Sequence, residues 1–386
     1  MKILNICAYT WEIGGPARII YDHTVEALEE GHEVHILSPC SPGDKLYPAP
    51  EGARLIPCKR SLPISRFYRE YSVELLRYLQ HHINDYDVVH IHGIWHFGSL
   101  APFLVKSNVP KIITIHGLLD QWAVNHHAWK KNLVSFLYQK KLLAKAAAIQ
   151  VNNTDEESDV TQYLGYRPDN LVIIPNGMRM KDYRHLPEKG TFRKQFDIPA
   201  DSPLLLFMGR LNVKKGLDLL LPAFRAFHSK APRALLVLAG PDDGYEAEAQ
   251  RFVETHQLRE AVKFVGMLTG DIKKAALSDA TAFVLPTYSE GFSIAVLEAM
   301  ASRLPAIVSD RTGFGDYTRQ FDAAALTALN SDDLAKKIEL TLTDAQYRQT
   351  KAQNAYKMVA ELFDIKVVAR QLLEVYRKAI VASKLQ

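Results

Sequence analysis

Short apolar runs, each stopped by a turn and followed by a helical period, recur along this whole chain, and that alternation leaves few architectures open. Residues 3–8, 32–38, 88–92, 111–116, 148–151 and 171–175 read as one series of strands. Residues 204–207, 235–239, 263–265, 282–285 and 306–309 read as a second. Helices are expected at 16–30, 65–82, 129–147 and 155–165, and two more, at 345–361 and 365–385, close the chain. Pro16 falls in a first turn, where its missing N–H costs nothing, and Gly31 ends that helix. Such βα alternation predicts α/β folding on parallel sheets covered on both faces. The pattern breaks at Asn176-Gly177, and the polar stretch to Phe196 has no period, so it reads as a linker. Two Rossmann-like domains are therefore expected, residues 1–180 and 190–365, facing each other across a cleft; 386 residues suit two separate cores.

Composition narrows the function classes. With 47% hydrophobic and 23% charged residues the chain reads as globular, and a net charge of +4 gives no argument for nucleic acid. Cys7, Cys40 and Cys58 are far apart and lack a CxxC spacing, which disfavours a disulfide framework or a zinc site. The short apolar start, broken at Asn5, does not read as a signal peptide, and no apolar run reaches membrane-spanning length. A cytoplasmic protein is expected, peripheral at most on the inner face of the cell membrane. The reason for allowing that contact is local: no acidic residue lies between 121 and 154, while residues 126–145 hold Lys130, Lys131, Lys140, Lys141 and Lys145 among aromatic side chains. Lys59, Arg60, Arg66 and Arg69 around Pro63 and Phe67 form a second basic stretch. A solvated helix face is the competing reading of the first.

In open parallel sheets ligands gather beyond the carboxyl ends of the strands. The run 282–285, stopped by Pro286, delivers the loop Thr287-Tyr288-Ser289-Glu290-Gly291-Phe292-Ser293, and a helix is expected from about Ser293. Glu290 then stands on the loop, and Glu298, five residues into the helix, is displaced from Ser293 by about 7 to 8 Å of helical rise. A diphosphate fits against the open N–H groups of such a helix start, leaving Glu298 for ribose hydroxyls and Glu290 for a sugar. Upstream, Gly209-Arg210-Leu211-Asn212-Val213-Lys214-Lys215-Gly216 follows the run 204–207. Gly209 would allow close backbone approach there, and Arg210 and Lys215 would oppose the growing charge of a diphosphate leaving group. Gly14 and Gly15 lie between the first strand and its helix, where their N–H groups can approach a phosphate; the pattern is not GxGxxG, which disfavours a nicotinamide cofactor. His116 leaves a strand into the proposed cleft, and Trp95 and Trp122 offer flat faces for an acceptor sugar. Asp85-Tyr86-Asp87 precedes a strand at the wrong end for a ligand, and Asp242-Asp243 reads as turn chemistry, so no metal site and no cofactor are predicted.

The Glu-x7-Glu segment, the Gly-Arg-Leu-x3-Lys-Gly segment and the amino-terminal Gly-Gly loop, in this order over almost the whole chain, resemble the family-4 retaining glycosyltransferases with the GT-B fold. That resemblance implies donor binding by Gly14, Gly15, Arg210, Lys215, Glu290, Gly291, Phe292, Ser293 and Glu298. It implies a catalytic set of His116, Arg210, Lys215 and Glu290, with His116 touching the donor sugar. It also implies a nucleotide-diphosphate sugar, UDP-linked, as donor, a sugar or lipid-linked glycan as acceptor, and a last helix, 366–386, that packs on the first domain. Retention could proceed through a covalent sugar on Glu290 or by same-face displacement assisted by the departing diphosphate; both stay open. Epimerase, phosphorylase and silent carbohydrate-binding proteins of the same fold are alternatives. The chain departs from the family at Ser302-Arg303-Leu304-Pro305 and Thr312-Gly313-Phe314-Gly315-Asp316, where a glycine-rich loop is altered.

Overall fold

The computed structural model describes residues 1–11, 15–119 and 138–385. The chain forms two compact units, Met1–Gly177 with Ile365–Gln386, and Met178–Asp364. The first is built on seven parallel strands in the order β3-β2-β1-β4-β5-β6-β7. These are β1 (Lys2–Ile6), β2 (Glu33–Cys40), β3 (Arg54–Lys59), β4 (Val88–His92), β5 (Lys111–Thr114), β6 (Ala148–Val151) and β7 (Leu171–Ile173). The second holds six parallel strands in the order β10-β9-β8-β11-β12-β13. They run β8 (Leu204–Met208), β9 (Leu235–Ala239), β10 (Val262–Gly266), β11 (Ala282–Leu285), β12 (Ala306–Ser309) and β13 (Ala325–Thr327). Central strands such as β4, β8 and β11 are buried at every residue, because helices cover both faces; this is why they read as unbroken apolar runs.

Helix boundaries follow local chemistry. Ser72 starts helix Val73–His82 by accepting from the Leu75 N–H at 3.1 Å. Asn153 caps helix Thr154–Leu164, which Gly165 ends in the left-handed region at φ 87°.

Two edge strands and a short helix are among the elements that escaped the periodic reading. Strand β3 carries Pro57 and is half exposed at a sheet edge, where the absent N–H is tolerated. Strand β13 has three residues at the other sheet's edge. Helix Phe97–Leu104 contains Gly98 and Pro102, which mask its period. The helix expected over 65–82 is shorter, since residues 67–72 form a loop after the single turn Ile64–Arg66.

The stretch expected to be a linker belongs instead to the second unit. It forms the turn Met180–Tyr183 and helix Thr191–Gln195, and Met180 and Phe192 are buried in that unit's core. Two buried anchors in a polar run are too few to give a period. Of the helix expected over 129–147, the segment Lys140–Lys145 is seen and residues 120–137 lie outside the described part.

The last helix, Ile365–Ser383, packs on the first unit's sheet. Val368, Leu372, Leu373, Tyr376 and Ala379 recur every three or four residues and meet Ile3, Val34, Val88, Ile112 and Ala148 in one buried cluster.

Candidate active site

At the carboxyl ends of the second sheet, four loops hold the acidic and basic residues together. Beyond β11, the buried Thr287 hydroxyl donates to the Lys214 carbonyl at 2.9 Å, and the Tyr288 N–H donates to that same oxygen at 2.9 Å. The loop carrying Glu290 is thereby tied to the loop carrying Lys215, and the Lys215 ammonium donates to the Glu290 carboxylate. Glu290 is pinned from its other side too. Its N–H donates to Arg311 O at 3.0 Å, and Gly313 N–H donates to Glu290 O at 2.7 Å. The segment Arg311 to Gly313 thus positions Glu290.

Close packing sets these loops. Gly216, at φ 72°, lies so near Pro286 O that a Cβ would overlap it, and Gly240, at φ 153°, lies equally near Gly209 O. A Cβ on Gly209 itself would meet nothing nearer than the Phe207 ring at 3.5 Å, so the tight protein contact at this crossing is made by Gly240.

Helix Ile294–Ala301 starts at Ser293 with no side-chain cap, so the first turn's N–H groups lack a local acceptor. Phe292 packs its ring on Phe314 and Phe363 at 5.7 and 5.8 Å, which fixes the entry of the helix; what it can offer a ligand is its backbone. Glu298 is buried. Its Oε1 accepts from Lys273 Nζ at 2.6 Å and from the Tyr183 hydroxyl at 2.6 Å. Neither partner was foreseen. Lys273 sits mid-helix in Gly270–Asp279 with no motif around it, and Tyr183 lies in the polar stretch read as linker. Arg210 is 65% exposed and pairs with Asp243 at 3.0 Å, so it stays at the rim. Asp242 makes the expected turn, accepting from the N–H groups of Gly244, Tyr245 and Glu246.

In the first unit, His116 follows β5 at φ 54° and ends a chain of buried polar groups. Its Nε2 lies 3.2 Å from His92 Nδ1, and His92 Nε2 lies 3.1 Å from Asn5 Oδ1. His90 reaches the Tyr376 hydroxyl at 2.5 Å and Thr114 at 2.6 Å. His23, from helix Gly15–Glu29, lines the same cavity as these three. Desolvation lowers all four imidazoles: His116 and His23 fall to about 4, and His90 and His92 are held well below the ordinary range.

Gly15 opens helix Gly15–Glu29 with open space where a Cβ would be. Gly14 and Trp122 lie outside the described residues. Trp95 is engaged in packing: its indole N–H donates to Leu118 O at 3.1 Å and its ring meets Tyr163 edge-on at 5.5 Å.

Comparison with known proteins places both halves. A family model described as Glycosyltransferase Family 4 matches residues 13–181, and one described as Glycosyl transferases group 1 matches residues 188–358. The chain is 25% identical to a phosphatidyl-myo-inositol mannosyltransferase of Mycolicibacterium smegmatis, over 97% of this chain and 93% of that protein. It is also 25% identical to an uncharacterised glycosyltransferase of Methanocaldococcus jannaschii, over 97% of this chain and 98% of the other. Among solved structures, sucrose-phosphate synthase of Thermosynechococcus elongatus superposes with a TM-score of 0.78 at 22% identity, covering 99% and 100% of the two chains. An Anabaena protein in complex with UDP and glucose superposes at 0.76 with 18% identity, covering 98% and 100%. With a model matched to each half and the paired parallel sheets these structures share, the chain belongs to the family-4 glycosyltransferases of GT-B fold.

Proposed function

We propose that the chain moves a hexose-type sugar from a UDP-linked donor to a sugar or lipid-linked glycan acceptor, with retention of configuration and without a divalent ion. The carrying observation is that both motif carboxylates of the second unit are held by lysines at one end of one sheet: Glu290 by Lys215, and Glu298 by Lys273. In this reading the diphosphate lies on the uncapped start of helix Ile294–Ala301, near Gly291, Phe292 and Ser293. Glu298 holds the ribose and Glu290 the sugar. Arg210 and Lys215 neutralise charge that grows on the leaving diphosphate, the role a metal ion would otherwise fill. The solved complexes of the Anabaena protein with UDP and with UDP-glucose support the choice of base, and the mycobacterial mannosyltransferase supports a lipid-linked acceptor.

The test is nucleotide release from a panel of nucleotide sugars, with and without candidate acceptors, and with the product's anomeric configuration read by NMR. UDP release that depends on acceptor and yields a retained glycoside is expected. Lys215→Ala should abolish it and Glu298→Ala should mainly raise the donor KM. Normal turnover by both variants, or a product that is only an isomerised sugar nucleotide or a sugar phosphate, would overturn the assignment.

A further inference from the structure

The loop between β3 and helix Val73–His82 combines three features that together point to a partner. Leu62 is 62% exposed, Ile64 49% and Phe67 80%, so three large apolar side chains within six positions stand in water. Around them Lys59, Arg66 and Arg69 are exposed, and residues 52–69 contain no acid. The acid that ends this stretch, Glu70, is buried and its carboxylate lies 2.8 Å from His96 Nδ1. The charge the loop presents outward is therefore cationic.

The tip is also built to hold its shape. Ser61 N–H donates to Tyr71 O at 2.8 Å, Ser65 N–H to Ser61 O at 3.0 Å, and Phe67 and Tyr68 N–H both to Ile64 O, at 3.0 and 2.9 Å. Pro63 brings no N–H that would need a partner. At the base, Phe97 N–H donates to Arg69 O at 2.9 Å, and the rings of Tyr68 and Tyr71 lie on Phe97 at 5.8 and 4.7 Å. Gly98 leaves room for the Glu70–His96 pair, since a Cβ there would fall 2.9 Å from the Glu70 carboxylate. These bonds engage the N–H groups of Ser61, Ser65, Arg66, Phe67 and Tyr68 within the loop and its base, which lowers the cost of taking this backbone out of water.

We infer that residues 61–69 are a wedge that inserts Leu62, Ile64 and Phe67 into an anionic lipid surface while Lys59, Arg66 and Arg69 meet its headgroups. A second protein is a poorer fit, because one nine-residue loop falls far short of the roughly 1,200 to 2,000 Å² that stable protein interfaces bury. The loop leaves the carboxyl end of β3. In a parallel sheet that is the end bearing the loops of Trp95 and His116, so a lipid docked there is on the side where a lipid-linked acceptor is needed. That purpose rests on the function proposed above, whereas the binding itself does not.

Flotation of the full chain with vesicles tests it, using phosphatidylcholine alone and phosphatidylcholine mixed with phosphatidylglycerol, and needs neither donor nor turnover. Association with the anionic vesicles is expected, weakening as salt rises from about 0.05 to about 0.5 M. The triple variant Leu62→Ser, Ile64→Ser, Phe67→Ser should lose association by roughly tenfold or more at every salt concentration, with circular dichroism and donor turnover unchanged. Arg66→Gln with Arg69→Gln should reduce the salt-sensitive part, and Phe67→Trp should keep binding and shift its emission to the blue on anionic vesicles. Absence of binding to anionic vesicles, equal binding by the triple variant, or a parent dimer that the triple variant dissociates would each overturn the wedge. Loss of donor turnover in parent and variants alike would count against the proposed reaction and leave the flotation result standing.

Discussion

At the residue scale, the cations of the second unit differ in how firmly they are engaged. Arg210 and Asp243 are 65% and 42% exposed, and a pair so open to water contributes about 0 to 1 kcal/mol, so the guanidinium can exchange its partner for a phosphate at little cost. The Glu298 carboxylate, 11% exposed and shared by Lys273 and Tyr183, is harder to disturb. Removing Lys273 leaves a buried carboxylate with one neutral donor, which favours its movement away from the place where the proposed donor's ribose would lie. Lys273→Ala is therefore expected to raise the donor KM several-fold with kcat largely kept, and Lys273→Arg to restore part of the affinity; equal KM values in steady-state assays would remove Lys273 from the site. The desolvated imidazoles give a second prediction. His23 and His116 stay neutral down to about pH 4 in the folded chain, while in the unfolded chain they take up protons below about 6.5. The unfolded state thus binds more protons between these limits, and stability falls as pH drops through that window, by up to about 1.4 kcal/mol per pH unit for each histidine. Urea midpoints at pH 7 and pH 5 should show the loss, and His23→Gln should make it smaller. A midpoint that does not change between the two would contradict the neutral cluster.

At the element scale, the loops at the strand ends depend on backbone approaches that only glycine permits. Gly216→Ala and Gly240→Ala each push a Cβ into a neighbouring carbonyl at a positive φ. The left-handed strain alone costs on the order of 1 to 3 kcal/mol, and the overlap requires the loop to move. Both variants should lose most donor turnover, whereas Gly209→Ala, with its nearest contact at 3.5 Å, should keep it; the reverse ranking in nucleotide release would refute this account of the loops. These elements also mark how far the sequence can be read. Buried central strands such as β4, β6, β9, β11 and β12 were legible to the residue, because burial on both faces demands an apolar run and the turns bounding it are chemically distinct. Strands β3 and β13 were not, since Pro57 and several exposed residues break the first's run and the second has three residues, too few for a pattern. The motif order made Glu290 and Glu298 visible. Lys273 and Tyr183 were hidden, because a lysine in a helix and a tyrosine in a polar run carry no local sign of the carboxylate that folding brings to them.

At the scale of the whole molecule, the first unit is completed by residues from the far end of the chain. Helix Ile365–Ser383 supplies Val368, Leu372, Leu373 and Tyr376 to a core that otherwise ends at the bare face of β1, β4 and β5, and the Tyr376 hydroxyl is one partner of the buried His90. Gly177 lets the helix seat, since a Cβ there would fall 2.9 Å from the Ile365 Cα and 3.3 Å from the Val368 Cβ. Graded losses follow. Tyr376→Phe should cost about 1 kcal/mol or somewhat more through the lost hydrogen bond, and Leu372→Ala about 2 to 5 kcal/mol through the cavity it leaves. Deleting residues 365–386 should exceed both, because it exposes the whole apolar face at once. The unit Met178–Asp364 has its own core, and the residues of the deleted helix are not among it. Limited proteolysis of the truncated chain should therefore cut first within residues 1–177 and spare a fragment close to 178–364. Adding a synthetic peptide of residues 365–386 should restore protection of the first unit in a concentration-dependent way, as expected when a ligand binds the folded state alone. Equal protection of the two units after truncation would mean that the helix is an appendage and that the first sheet closes its core without it.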